Sequence, residues 1–127
     1  MSINTSVQSP LSKEALNELI IDSIQDIKGK NIVKLDLRQL DDSPTDYFII
    51  CEGDSNTQVQ AIAENIRMRL KKEGNEFPSH YEGQQSATWI CLDYFDIVVH
   101  VFYRETRAFY ELEDLWSDAI STTYENL

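Results

Sequence analysis

The sequence predicts an α/β fold with a mixed five-stranded sheet and flanking helices. Two observations support this prediction. Apolar residues recur at helical spacing in three segments, and five shorter segments between them are rich in β-branched and aromatic residues. The resulting order is helix, two strands, helix, three strands and helix, which is typical of one sheet with helices packed on it. A chain of 127 residues suits one core of this kind.

The N-terminal half contains two helices and two strands. Residues 12–28 carry apolar side chains at helical spacing and form the first predicted helix. Residues 31–37 alternate between apolar and polar, which predicts a strand, whereas residues 47–51 are continuously apolar, which predicts a central strand buried on both faces. The second helix is expected over residues 55–74, because an S-x-x-Q capping box opens it.

The C-terminal half begins with a short extended piece over residues 77–82. Residues 87–94 and 97–103 are strand-like and are separated by a tight turn, so they are predicted to form a hairpin. Residues 106–116 complete the pattern as a last helix, whose apolar side chains Phe109, Leu112 and Trp116 are spaced to share one face.

Both ends outside the predicted domain of residues 12–116 are polar. Residues 1–11 are expected to be flexible, and residues 117–127 to form a polar tail with few packing side chains. The first ten residues contain neither a basic cluster nor an apolar run, so we predict no secretory signal and a cytoplasmic location. No segment approaches the roughly 20 apolar residues that a membrane-spanning helix needs.

The net charge of −11 indicates a strongly acidic surface. Such a surface repels nucleic acid and anionic membranes, and it suits a partner with a basic face. The alternative is that the acidity serves only solubility.

The predicted hairpin has two chemically different faces. With Phe95 and Asp96 as the loop, strand alternation places an aliphatic set on one face: Ile90, Leu92, Val99 and Val101. The other face carries Trp89, Cys91, Asp93, Val98, His100 and Phe102. Two interpretations of this mixed face stay open: a second core layer beneath the last helix, or an exposed aromatic patch that resembles an interface centre. The candidate partner-binding residues all belong to the hairpin: Trp89, Asp93, Tyr94, Val98, His100 and Phe102.

Patterns that support catalysis are scarce. The segment Gly53-Asp54-Ser55 lies between a strand and a helix, where helix N-termini bind anions and where nucleotidyltransferases use a Gly-Ser pair. Those enzymes also hold magnesium with closely spaced carboxylates, and no D-x-D or D-x-E pair follows on the next strand. We therefore predict a non-catalytic protein without a metal or cofactor, and a nucleotidyltransferase-like enzyme is the alternative. Cys51 and Cys91 are predicted to be buried, reduced thiols.

Three segments resemble the ribosomal silencing factor (Iojap-like) family. Residues 46–55, DYFIICEGDS, are similar to its D-Y-F-V-I-x-x-G-x-S segment. Residues 82–102 contain E-G, A-x-W-I and D-Y-x-D-I-V-V-H-V-F in the family's order, and residues 107–116 resemble its closing R-x-F-Y-x-L-E-x-L-W. The resemblance extends from about Leu16 to Trp116. One departure is Phe95, which stands where the family often has glycine and where a tight turn requires a positive φ.

The resemblance implies a function and a fold. It implies binding to a large-subunit ribosomal protein (number fourteen) at the intersubunit face, which sterically prevents the two ribosomal subunits from joining. It also implies a sheet related to nucleotidyltransferase folds without the catalytic carboxylates. We expect no membrane partner and no direct sequence-specific nucleic-acid partner. A homodimer through an uncovered aromatic face, and an adaptor without ribosome preference, stay open.

Overall fold

The structure, a computed structural model, describes residues 11–127. Of the predicted flexible segment 1–11, only Leu11 is among the described residues. The elements in chain order are α1 (Lys13–Asp26), β1 (Lys30–Asp36), β2 (Tyr47–Gly53), α2 (Asn56–Gly74), β3 (His80–Glu82), β4 (Trp89–Asp93), β5 (Ile97–Tyr103), α3 (Arg104–Tyr110), α4 (Leu112–Leu115) and β6 (Ile120–Thr123). The predicted mixed α/β class is confirmed.

The sheet has six strands in the order β3-β4-β5-β2-β1-β6. The central pair β2–β5 is parallel, and the other neighbours are antiparallel. The prediction of five strands was therefore wrong, because the sequence predicted only a polar tail after residue 116. Strand β6 lies in that tail and pairs through its backbone with β1, while all four of its side chains are exposed. Since no apolar side chain is buried, no hydrophobic pattern marks this strand in the sequence.

Helices α1 and α2 cover one face of the sheet. The core between them contains the predicted aliphatic set of the hairpin, together with Ile20, Ile24, Ile49, Ile62 and Ile66. Strand β2 is buried along almost its whole length, which confirms the central position expected from its continuous apolar run. The Ser55 hydroxyl caps α2 by accepting a hydrogen bond from the Gln58 N–H at 3.1 Å, as the capping box predicted.

The hairpin register is also confirmed, with Trp89 opposite Phe102, Cys91 opposite His100 and Asp93 opposite Val98. Phe95 adopts φ 70° in the loop, a region that bulky residues avoid. The Asp96 N–H donates to the Tyr94 carbonyl at 2.9 Å, which makes the loop a γ-turn. The departure from glycine therefore left the register unchanged, and the strain is carried by the backbone of one residue.

The last predicted helix is broken in two. Glu111, at φ 48°, separates α3 from α4, whereas the sequence predicted one helix over residues 106–116. The left-handed residue rotates the following turn, so Leu112 faces the sheet while Phe109 is 80% exposed. The prediction that Phe109, Leu112 and Trp116 share one packed face is wrong for Phe109, because that prediction assumed unbroken helical periodicity.

Within residues 11–127, no helix is both long enough and apolar enough to cross a bilayer. The same part of the chain holds no cluster of three or more His, Cys, Asp and Glu side chains arranged to bind a metal ion.

Candidate partner-binding surface

Trp89 lies where the second face of the sheet changes from buried to exposed. Its ring contacts Phe102 on the neighbouring strand, with 4.8 Å between ring centroids, and Tyr110 at the end of α3, with 5.0 Å. Phe109 then packs edge-on against Tyr110 at 5.1 Å. Since Trp89 is half-buried and Phe109 and Tyr110 are exposed, these three residues form a continuous surface, which we call the aromatic surface.

His100 is buried beneath the aromatic surface and contacts Trp89. The Trp89 indole Nε1 donates a hydrogen bond to His100 Nδ1 at 3.1 Å, so this nitrogen must be unprotonated. Burial lowers the pKa of His100 to about 4, although the Asp93 carboxylate acts in the opposite direction. The imidazole is therefore neutral at physiological pH, and it fixes the plane of the indole ring.

Helices α3 and α4 cover the part of this face that lies near β2. Leu112 and Trp116 pack over Phe48 and Phe102, and the rings of Trp116 and Phe48 meet edge-on at 5.9 Å. Each of the two interpretations of the mixed face therefore describes part of it: the side near β2 is a second core layer, and the side near β4 is open.

Not all six candidate residues lie on the accessible part of this face. Trp89, Asp93 and Val98 are half-exposed there. Phe102 is fully buried and His100 is 7% exposed, so these two support the surface and do not form it. Tyr94 is buried in the opposite core, against the helices, because strand alternation directs its side chain away from Asp93.

The sequence prediction assigned all of the candidate contacts to the hairpin and missed the part played by α3. Tyr110 and Phe109 were assigned to the closing family motif, and Phe109 to the core. Their adjacency was the available signal, because two consecutive large aromatic residues on a helix cannot both face the same core.

An ion-pair network holds α3 in position. The buried Arg107 guanidinium lies 3.1 Å from Glu52 on β2 and 2.8 Å from Glu113 on α4, and it donates to the Asn31 carbonyl at 2.6 Å. It thus links α3 and α4 to strands β1 and β2. Phe109 and Tyr110 lie on the helix that this link holds.

The loop Gly53-Asp54-Ser55 has structural partners. The Asp54 carboxylate lies 2.8 Å from Lys30 and 3.6 Å from Arg104, and these cations lower the pKa of Asp54. Ser55 caps α2. The polar groups of the loop are therefore engaged in holding the ends of β2 and α2.

The two cysteines are free, with Cys51 buried and Cys91 half-buried. Burial raises the pKa of Cys51 to about 12 and that of Cys91 to about 11. Both thiols are therefore protonated at neutral pH and are poor nucleophiles.

The fold and this surface define the class: a small acidic α/β protein whose mixed sheet is covered by helices on one face and only partly covered on the other. A family model described as "Ribosomal silencing factor during starvation" matches residues 10–127. The chain belongs to the ribosomal silencing factor family, whose members are ribosome-associated regulators of translation.

Individual relatives agree with this assignment. The chain is 36% identical over 117 residues to the ribosomal silencing factor of Halalkalibacterium halodurans, covering 92% of this chain and 98% of that protein. A crystal structure from Chromobacterium violaceum is similar with a TM-score of 0.79 and 36% identity, over 84% of this chain and 88% of the other. A mouse protein named "Mitochondrial assembly of ribosomal large subunit protein 1" is 34% identical over 76 residues, which are 58% of this chain and 33% of that protein.

Proposed function

We propose that this protein represses translation by binding the large ribosomal subunit and sterically blocking its association with the small subunit. The contact on the subunit is ribosomal protein number fourteen, and the site of action is the cytoplasm. Family membership supports a role on the ribosome, and the name of the mouse relative points to the large subunit. The identity of the ribosomal protein follows from the motif resemblance of residues 46–116.

The observation that carries the proposal is the aromatic surface on a strongly acidic chain. Tyr110 is 52% exposed and Phe109 is 80% exposed, although burying such rings is favourable. Aromatic residues are enriched at the centres of protein interfaces, where a few of them dominate the binding energy. The net charge of −11 favours a basic protein face over bare RNA as the partner.

The proposed mechanism is occlusion without a catalytic step. The loop that the enzyme alternative requires uses Asp54 in ion pairs with Lys30 and Arg104, and Ser55 as a helix cap. These assignments account for the loop's polar groups without a substrate. A topological relation to nucleotidyltransferases stays a prediction. Asp54→Ala tests the enzyme alternative, because a folded variant that loses all repression would support it.

The proposal is tested by co-sedimentation of the purified protein with large ribosomal subunits. Phe109→Ala removes an exposed ring, so it should leave the fold intact and weaken binding by about 1–2 kcal/mol. Trp89→Ala should weaken binding by ~2 kcal/mol or more, but part of its effect will come through His100, whose hydrogen-bond donor is lost. The matched control is Phe77→Ala, which removes another exposed ring on the segment between α2 and β3.

A subunit-joining assay completes the test. The wild-type protein should lower the yield of joined ribosomes, and Phe109→Ala should do so less at the same concentration. Absence of co-sedimentation would favour the adaptor alternative and refute the proposal. If the protein forms a dimer through the aromatic surface, subunit occupancy should rise less steeply with total protein concentration than for a monomer, and Phe109→Ala should weaken both interactions.

A further inference from the structure

A groove opens beside the aromatic surface, between α3 and the neighbouring ends of β4 and β5. Its volume is about 470 Å³. The lining residues are Thr88, Trp89, Tyr103, Glu105, Thr106, Phe109 and Tyr110. Four of these seven side chains are aromatic and one is a carboxylate, and none is basic. The groove therefore presents aromatic faces and a single negative charge.

The charge in the groove is available to a ligand. Within residues 11–127, no cation lies within ion-pair distance of the exposed Glu105 carboxylate. The nearest arginines in sequence are engaged elsewhere: Arg104 lies 3.6 Å from Asp54, and Arg107 binds Glu52 and Glu113. Both guanidinium groups pair with these carboxylates and not with Glu105.

We propose that this groove receives an arginine side chain of the basic protein to which the aromatic surface docks. The guanidinium plane stacks on the rings of Trp89, Phe109 or Tyr110, and its N–H groups donate to the Glu105 carboxylate. This inference rests on the proposed function, since it specifies the chemistry of the partner at the same surface.

The ring and charge arrangement favours arginine over other occupants. Aromatic faces carry a negative quadrupole that attracts a cation within about 6 Å, and arginine forms such contacts more often than lysine. A guanidinium is planar and more weakly hydrated than an ammonium, so it stacks on rings while it still donates to a carboxylate. A purely apolar side chain would fill the aromatic part but would leave Glu105 without a partner at the edge of a dry interface, which disfavours it.

A direct binding experiment tests the groove without the ribosome. The probe is N-acetyl-arginine amide, and N-acetyl-citrulline amide is its uncharged analogue of nearly the same shape. The indole N–H resonance of Trp89, assigned with Trp116→Phe, is followed during titration at constant ionic strength. We expect a saturable shift with the arginine probe, a clearly smaller one with citrulline, and loss of the difference in Glu105→Gln. Equal shifts for both probes, no saturable shift, or an unchanged response of Glu105→Gln would overturn the proposal.

The second experiment measures large-subunit binding by Glu105→Gln. We expect the affinity to fall roughly tenfold, which corresponds to the loss of one charge-assisted contact, and its dependence on salt concentration to become weaker. The matched control is Glu18→Gln, which neutralises an exposed carboxylate on α1, across the sheet from the groove. An equal loss in both variants would indicate only the effect of net charge and would overturn the inference.

The two proposals fail in different ways. If the wild-type protein does not bind large subunits, the proposed function fails whatever the titration shows. If the wild-type protein binds and Glu105→Gln binds equally well, only the proposal that the groove receives an arginine side chain is refuted.

Discussion

Replacement of Arg107 by methionine should destabilise the protein strongly, because it breaks a buried ion pair by removing one partner. The Arg107 side chain is 9% exposed and that of Glu52 is 14% exposed. Without the guanidinium, the Glu52 carboxylate stays in this poorly hydrated position with no cation, and the Asn31 carbonyl loses its donor. Methionine is similar in length and fills much of the same space, so the measured effect is mainly that of the lost charge.

The expected loss is about 3–5 kcal/mol in the free energy of unfolding, the usual cost of removing one partner of a buried pair. For a chain of 127 residues this corresponds to a decrease in Tm of roughly 10–20 °C. Urea unfolding followed by far-UV circular dichroism measures the free energy, and a thermal melt measures Tm. The matched control is Arg104→Met, whose side chain is 57% exposed with one ion pair at 3.6 Å, and its stability should change little.

A double-mutant cycle separates the charge from the packing. Glu52→Gln in the Arg107→Met background removes the unpaired carboxylate, so it should recover about 1–3 kcal/mol. A loss below about 1 kcal/mol for Arg107→Met, or no recovery in the double variant, would refute the argument that this network anchors α3 to the sheet.

Three further predictions concern the hairpin and the sheet. Phe95→Gly should be more stable than Phe95→Ala by about 1 kcal/mol in urea unfolding, because only glycine adopts φ 70° without strain; equal stabilities would contradict the strain at the γ-turn. Gly83→Ala should lower the denaturation midpoint markedly, since Gly83 adopts φ 93° and a Cβ at this position would lie 2.1 Å from the Trp89 carbonyl oxygen. Unchanged stability would show that β4 can shift. The folded-state pKa of His100, about 4, lies below its ordinary value of 6.5, so its contribution to stability is present above pH 6.5 and is lost as the pH falls toward 4. Urea unfolding across this range should show a flatter pH dependence in His100→Gln than in the wild type, and identical slopes would refute the assignment.

Local patterns in the sequence were sufficient for most of the central fold. The continuous apolar run of β2 required burial on both faces, and the alternation in β4 and β5 defined two chemically different faces of the hairpin. These elements could be predicted because each is stabilised by its own side chains, whose spacing is visible in the chain. The hairpin register followed from the same alternation, since a shift by one residue would have moved the aliphatic set to the opposite face of the sheet, away from α1 and α2.

The elements that the prediction missed or misplaced are determined by contacts distant in sequence. Strand β6 is held by backbone hydrogen bonds to β1, and backbone groups are the same in every sequence. The break at Glu111 contains neither glycine nor proline, and it occurs where Arg107 ties α3 and α4 to the sheet. That break directs Leu112 inward and leaves Phe109 outside.

The candidate surface shows the same division. Composition and alternation placed aromatic and polar residues on one face of the hairpin, but they could not determine how much of that face the C-terminal segment covers. Only the packing of α3 and α4 decided that Phe102 and His100 are covered and that Tyr110 extends the surface from Trp89. The position of Tyr94 in the other core follows from strand alternation alone. The physical reason is that strand alternation is a local consequence of backbone geometry, whereas the exposure of a side chain depends on every element that packs over it.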